Sequence, residues 1–365
     1  MRDSVQFLLP DDNTGLLPIS YFHALARLGE EGLILIEPDK PFVSLGYFDP
    51  EEVVDLDYCA AHDIPVMRRE TGGGMVLLGP GQVFYTLVVK RPHPPVPSIV
   101  QDSYRHLSQA PIAVYQQMGI PARLRPVNDI VTGQGRKIGG QGAADINGHF
   151  CFVGSILLDF DCELMHHVVR LPHKRLKGAL KNTLSANMTS IRRETGRHPD
   201  ADHIKRLLAD AFAPLVGGLE PAAISERLLR ETRSVAVELA ANVQTGEKAP
   251  PRPLFKIQEG LYLCQRLLET PAGDTALSVS IRDDIVTAVH ATRHPDKDMS
   301  AALAGWIGRR FAADALPIEQ AARALDLRPT TLRSALFPTG STHVAPGVAE
   351  ELEPRAEGAR IRWKP

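Results

Sequence analysis

Two glycine-rich segments hold the residue types best suited to chemistry on anions. The first, Arg68 to Tyr85, reads RRETGGGMVLLGPGQVFY. Two arginines and Thr71 lead into Gly72, Gly73 and Gly74, and an apolar alternating run starts at Met75. Without a Cβ, such a loop can take positive φ and bring its backbone close to a ligand. Its amides can then form a concave anion site. The second, Asn128 to Ala143, reads NDIVTGQGRKIGGQGA and is built around one lysine, Lys137. Lysine is a compact cation with rotatable donors on a flexible stem, and arginine suits bidentate contacts to phosphate. Taken singly, each segment has a plain structural explanation: a glycine triplet marks a turn, an Asn-Asp pair can build one, and lysines and arginine pairs are commonly solvated.

Taken in order, the segments resemble the lipoate-protein ligase A family, within the larger group that includes biotin ligases and octanoyl transferases. Three motifs carry the resemblance: Arg-Arg-x-Thr-Gly-Gly-Gly at Arg68 to Gly74; Asn128-Asp129-Ile130 followed by Gly135-Arg136-Lys137-Ile138-x-Gly140; and Gly154-Ser155-Ile156-Leu157-Leu158 ending at Asp161. The Arg-Arg loop differs from the Gly-Arg-Gly-Arg pattern of biotin ligases. The resemblance implies an α+β fold, a mixed sheet flanked by helices, with a small α+β accessory domain. It also implies ATP-dependent activation of lipoate or octanoate as acyl-AMP, then transfer to a lysine of a lipoyl-domain protein. Such acceptors include the E2 subunit of a 2-oxoacid dehydrogenase, the glycine-cleavage H protein, or a non-standard lipoate-binding protein. An anionic carboxylate must meet an anionic phosphate in this reaction, so preorganised donors matter, each worth about 3 kcal/mol in such sites.

Under that resemblance Lys137 is the catalytic lysine, bridging acyl carbonyl and phosphate oxygens. Arg69 or Arg68 contacts the phosphate end or covers the acyl-adenylate. Thr71, Gly72, Gly73, Gly74, Gly140 and Gly154 lie against substrate or ATP. Asn128 and Asp129 serve the adenosine, phosphate or metal end, with Asp129 a ligand of Mg2+ that is otherwise carried by phosphates. Alternation makes Val76, Phe84 and Val153 candidates for the acyl tunnel, and Tyr47 and Phe48 could join its wall. Two departures imply altered acyl or acceptor selectivity. Met75-Val76-Leu77-Leu78-Gly79 lacks the histidine that often follows the triplet, and Gly139-Gly140-Gln141-Gly142 replaces a Ser-Gly-Ser-Ala run. The main rival is an octanoyl or lipoyl transferase using a cysteine thioester and no ATP, and Ser44 to Phe48 (SLGYF) resembles those enzymes. Their cysteine, however, lies shortly before the lysine segment, where this chain has Arg123 to Asp129. Cys151 follows that segment inside an apolar run, where burial would make it inert. A non-catalytic acyl-adenylate-binding relative is the other alternative.

The elements that must position these residues are legible from periodicity. Helical spacing covers Asn13 to Gly29, Val53 to His62, Ser98 to Met118, Leu164 to Val169, Leu176 to Leu184, His203 to Leu215 and Ala222 to Ala240. Short strands are predicted at Leu33 to Ile36, Pro41 to Gly46, Ile64 to Met67, Gln82 to Val89, Arg123 to Arg125 and Phe150 to Leu158, with hairpin-turn chemistry at Asp145 to Gly148. This predicts a catalytic domain over 1–240 and a Pro- and Gly-containing linker over 241–253. An accessory domain over 254–327 has strands at Phe255 to Leu268, Thr275 to Ile281 and Ile285 to Arg293, then helices at Met299 to Phe311 and Pro317 to Leu327. From Arg328 onward a tail without its own core is expected.

Composition agrees with a soluble globular protein: 365 residues, 44% hydrophobic and 23% charged. A net charge of -2 gives no sign of a nucleic-acid surface. Absence of an apolar stretch of about 18 residues argues against a membrane span, and the N-terminus lacks a secretory pattern, so a cytoplasmic location is expected. The four cysteines are scattered, which argues against a zinc knuckle or a disulfide framework. His93 and His106 have no partners at metal-ligand spacing, and adjacent His166 and His167 do not share a helix face.

Overall fold

The computed structural model describes residues 4–243, 254–295 and 297–338. An eight-stranded sheet organises the first part of the chain. From edge to edge its strands are Leu219–Ala222, Val5–Leu8, Gly32–Ile36, Gln82–Lys90, His149–Leu157, Lys137–Ile146, Asp129–Thr132 and Ala122–Arg125. The first three run parallel and the remaining pairs antiparallel, so the sheet is mixed.

Both faces of this sheet are covered, which explains why Gln82–Lys90 is buried along nearly its whole length. Successive side chains point to opposite faces. Val83, Tyr85, Leu87 and Val89 pack with helices Val100–Leu107, Gln109–Gln117 and Ala201–Phe212. Phe84 and Val88 pack with helices Leu17–Leu28 and Glu226–Ala241. A three-stranded sheet sits beside it, with Phe42–Leu45 in the middle. Strand Val66–Arg68 enters the glycine triplet parallel to it, and Val76–Leu78 leaves antiparallel. The triplet is therefore an arch tied at both feet.

A further five-stranded antiparallel sheet, Leu254–Gln258 to Lys297–Asp298, forms the additional C-terminal domain. Trp306, Leu303, Leu325 and the strand residues Leu277 and Val279 fill its core. Its first hairpin also joins the first part of the chain: Ile257, Leu261 and Leu263 share a cluster with Leu180, Leu184 and Met188.

Several expectations change. Lys137 opens the ten-residue strand Lys137–Ile146, which the periodicity left unread. The helix read across Ser98 to Met118 is two helices meeting at Ser108. Pro111 has no N–H to return to the Leu107 carbonyl, which favours a break there. Phe255 to Leu268 is a hairpin rather than one strand, turning at Gly260 with φ 71°. Met299 to Phe311 is represented by a 3-10 stretch, Ser300–Trp306. Past Arg328 the chain forms helix Pro329–Leu336, burying Leu332 and Leu336 in the second core. Of the expected linker, Ala241 ends a helix and 244–253 lie outside the described residues; 339–365 of the expected tail do as well. No helix among the described residues is long and apolar enough to cross a membrane.

Leu332 is 0% exposed, so Leu332→Ala should destabilise the C-terminal sheet by about 2–5 kcal/mol in urea unfolding. A loss below about 0.5 kcal/mol, the scale of a surface change, would show that this helix is not part of the core.

Candidate active site

One cavity joins the two glycine-rich segments. Counting its open mouth it encloses about 1130 Å³, with Arg69, Gly73, Gly74 and Val76 on one side and Asn128, Asp129, Lys137 and Gly140 on another. Ile19, Phe22, Phe84 and Val153 form an apolar wall, and Phe255, Lys256 and Ile257 from the C-terminal sheet also line the cavity.

The lysine ammonium is positioned by residues of two adjacent strands. Lys137 Nζ lies 2.8 Å from Asp129 Oδ1, and the Asp129 side chain is 1% exposed. Asp129 pairs directly with Gly140 across the two strands. A Cβ at residue 140 would sit 3.3 Å from both Cε and Nζ of Lys137, so glycine there leaves room for the ammonium. The Lys137 carbonyl accepts a 2.8 Å bond from the Thr189 amide. Arg136 turns the other way and pairs with Glu194 at 2.7 Å. The other Asp129 oxygen accepts from the backbone N–H of Glu259, in the C-terminal hairpin turn. Lys256 of the same hairpin pairs with Glu259 at 2.6 Å.

The glycine arch is held from beneath by Arg69. Its guanidinium donates to the carbonyls of Ser44, Gly72 and Gly74 at 2.8–2.9 Å. Complete burial lowers its pKa to about 10, because a charge away from water is disfavoured. Gly73 takes φ 94°, and its carbonyl lies so close to Gly46 that a Cβ on residue 46 would come within 1.9 Å of it. Gly46 is thus a requirement that the sequence motifs did not reveal. Gly154 is another close approach, since a Cβ there would meet Tyr85 Oη at 2.3 Å. Tyr85 accepts from Gln141 Nε2 at 3.0 Å, and Gln141 Oε1 accepts from Ser108 Oγ at 2.8 Å.

The sequence-derived residues divide. Arg69, Gly73, Gly74, Val76, Asn128, Asp129, Lys137, Gly140 and Gly154 line the cavity, as do Phe84 and Val153. Arg68, Thr71 and Gly72 are not among its lining residues. Arg68 is buried and spends its guanidinium on backbone carbonyls of Gly46, Asp49, Asn242 and Val243. It ties the end of helix Glu226–Ala241 to the root of the arch. Thr71 is fully buried and its carbonyl accepts from the Tyr47 amide, but its Oγ1 has no hydrogen-bond partner. Tyr47 and Phe48 also lie outside the lining, and Phe48 is half exposed. Asn128 donates from Nδ2 to the Gln141 carbonyl at 2.7 Å, leaving Oδ1 unpartnered. Gln141 was noted only as a departure within the lysine segment and not as a lining residue, and Phe255, Lys256 and Ile257 were missed because their hairpin reaches the site only through folding.

All four cysteines are described, and none lines the cavity. Burial pushes the thiols of Cys59 and Cys264 up to about 11, and that of Cys151 higher still.

Residues 20–213 match the lipoyl protein ligase A/B catalytic domain family. The chain belongs to this family. Over 232 residues it is 30% identical to an octanoyltransferase LipM of Kyrpidia tusciae, a match covering 57% of this chain and 83% of that protein. The fold is shared with a bipartite lipoate protein ligase of Thermoplasma acidophilum, at TM-score 0.59 and 20% identity, covering 67% of this chain and 98% of the other. A lipoate-protein ligase A structure bound with ATP is similar at TM-score 0.54 and 20% identity, covering 67% and 99%.

His23 links this family loop to the first helix. Its Nδ1–H donates to the Ile19 carbonyl at 3.0 Å, and its Nε2 accepts from the Glu70 amide at 3.1 Å. Full burial lowers its pKa to about 3, against about 6.5 when unfolded. Between those values the unfolded chain binds the extra proton, so the stabilisation is present above about pH 6.5 and is lost as pH falls toward 3, at up to about 1.4 kcal/mol per unit. In urea unfolding, His23→Gln should flatten the slope of stability between pH 6 and 4. An unchanged slope would show that His23 titrates freely in the folded protein.

Proposed function

We propose that this protein is an ATP-dependent lipoate-protein ligase, activating lipoate or a related C8 acid as acyl-AMP and transferring the acyl group to a lysine of a lipoyl-domain protein. The observation that carries this reading is a cavity that presents the Lys137 ammonium and no thiol. A transferase working through a cysteine thioester needs a nucleophilic sulfur at the cavity, and the thiols of this chain are elsewhere or held protonated by burial. The likeness to LipM leaves the family's transferase branch as the alternative, but it supplies no cysteine at the lining.

In the first half-reaction a carboxylate oxygen attacks the α-phosphorus of ATP, the bond to pyrophosphate breaks, and pyrophosphate leaves with the electron pair. Lys137 would neutralise both reacting anions, its three donors exceeding the single contact to Asp129. The arch residues Gly73 and Gly74 would cover the acyl-adenylate. Arg69 would act by holding the arch and lending its buried charge, and Lys256 would supply a second cation from the C-terminal sheet. Arg68, Thr71 and Gly72 would support the arch from behind the lining. In the second half-reaction the acceptor amine attacks the acyl carbon, the C–O bond to AMP breaks, and the amine loses a proton.

Among the described residues no group of three or more His, Cys, Asp or Glu could hold a metal. Asp129 has both oxygens engaged, by Lys137 and by the Glu259 amide. These residues do not form a Mg2+ cage, and Mg2+ would be carried by the phosphates of ATP.

Incubation with ATP, Mg2+ and lipoate should yield lipoyl-AMP by mass spectrometry, and added lipoyl domains should gain the lipoyl mass. Lys137→Ala should lower adenylate formation by at least about 100-fold, the loss typical of one preorganised donor, with an unchanged circular dichroism spectrum. Acyl transfer from octanoyl carrier protein without ATP would overturn the ligase reading.

A further inference from the structure

We propose that two helices of the C-terminal domain, Ile318–Ala324 and Pro329–Leu336, form a helix-turn-helix unit that binds duplex DNA, the second helix entering the major groove. The proposal goes beyond the acyl-activation reading above and does not depend on it.

Four residues, Leu325 to Arg328, join the two helices, which is the connection length such units use. Backbone bonds fix this turn. Asp326 takes φ 56°, its amide donates to the Arg323 carbonyl at 3.2 Å, and the Leu327 amide donates to the Ala322 carbonyl at 2.8 Å. Together these bonds close a left-handed helix C-cap. Pro329 then opens the second helix, where a missing N–H costs nothing.

Burial separates the two faces of the pair. Ala321, Ala322, Leu325, Leu332 and Leu336 enter the C-terminal core, and Arg266 on strand Leu261–Leu268 donates from Nε to the Ala335 carbonyl at 2.6 Å. That anchoring leaves Thr330, Thr331, Arg333 and Ser334 exposed on the second helix, with exposed Arg328 just before it. A first helical turn facing water ordinarily gains from Asp or Glu. This one has neither, and no acid occurs from Leu327 to Phe337.

Guanidinium and hydroxyl groups on an exposed helix match the chemistry of DNA, since arginine suits guanine edges and phosphates and Ser or Thr suits either. A helix with its side chains is about 10–12 Å across, and the major groove is about 12 Å wide. Phe311 lies 4.9 Å from Phe337 ring to ring, which brings exposed Arg309 and Arg310 beside the end of the second helix. Arg310 pairs with Asp314, while Arg309 commits only Nε, to the Gly305 carbonyl. The remaining acids of the pair, Glu319 and Asp326, sit on the first helix and in the turn. The net charge of -2 averages over every face of the chain and does not describe this one.

Fluorescence anisotropy of the full chain with a labelled random-sequence DNA duplex tests this. Binding should fall in the range of about 1–100 µM. With Arg309, Arg328 and Arg333 each neutralising one phosphate, affinity should drop by about 40-fold between about 50 and 200 mM salt. Arg328→Ala should lower the slope of log affinity against log salt by about 1, with lipoyl-AMP formation unchanged. Arg230→Ala, an exposed change on helix Glu226–Ala241, should leave DNA binding as it is. Absence of binding, an unaltered slope in Arg328→Ala, an equal loss in Arg230→Ala, or tighter binding to an RNA duplex would each overturn the proposal. None of these results bears on acyl activation, and failure to form lipoyl-AMP would leave the DNA-binding proposal standing.

Discussion

A lysine ammonium held against a carboxylate almost shut off from water is the interaction around which this molecule is arranged. Asp129 is 1% exposed and would be costly to bury alone. Removing one partner of such a pair typically costs about 3–5 kcal/mol, because the other charge is then stranded. Much nearby structure follows from keeping the pair intact. Gly140 leaves space for the ammonium, the Thr189 amide fixes the lysine backbone, and the C-terminal hairpin donates the Glu259 amide to the second carboxylate oxygen. The C-terminal sheet is thereby coupled to Lys137 through one carboxylate, with the Arg125–Asp283 pair at 2.6 Å alongside.

The glycine arch solves a different problem, namely how to lay bare backbone over a cavity without leaving the arch floppy. Arg69 and His23 do this from beneath, one through carbonyls and one through the Glu70 amide. Both are buried and both have depressed pKa values for the same reason, the loss of water around a charge. The consequences differ: His23 is simply neutral, whereas Arg69 keeps its charge near neutral pH and contributes it to the cavity. The two arginines that begin the motif thus divide their work. Arg69 lines the cavity, and Arg68 ties down Asn242 and Val243 at the end of a helix more than 170 residues away in sequence.

How much was legible beforehand varies with the range of the interaction. The helix Leu17–Leu28 and the strands Gly32–Ile36 and Gln82–Lys90 follow from local periodicity and were read within a few residues. The break at Ser108 was marked by Pro111 but hidden by apolar spacing that continues through it. The strand Val5–Leu8 and its edge neighbour Leu219–Ala222 went unread because they are four residues each and pair with one another across the chain. The helix Pro329–Leu336 was obscured by the Pro and Thr content around it, although Leu332 and Leu336 have helical spacing.

The motifs by themselves determined the family and the α+β architecture, and they singled out Lys137 as the cation proposed to act, since each depends on residue types at short, fixed spacing. Tertiary structure alone decided which of the neighbouring candidates reach the cavity, because a side chain's direction in a strand or arch depends on what the opposite face must bury. It also decided that Gly46, Gln141 and Lys256 belong beside residues far from them in sequence. Those contacts are set by strand pairing and by the docking of one sheet on another, and neither leaves a local signature in the chain.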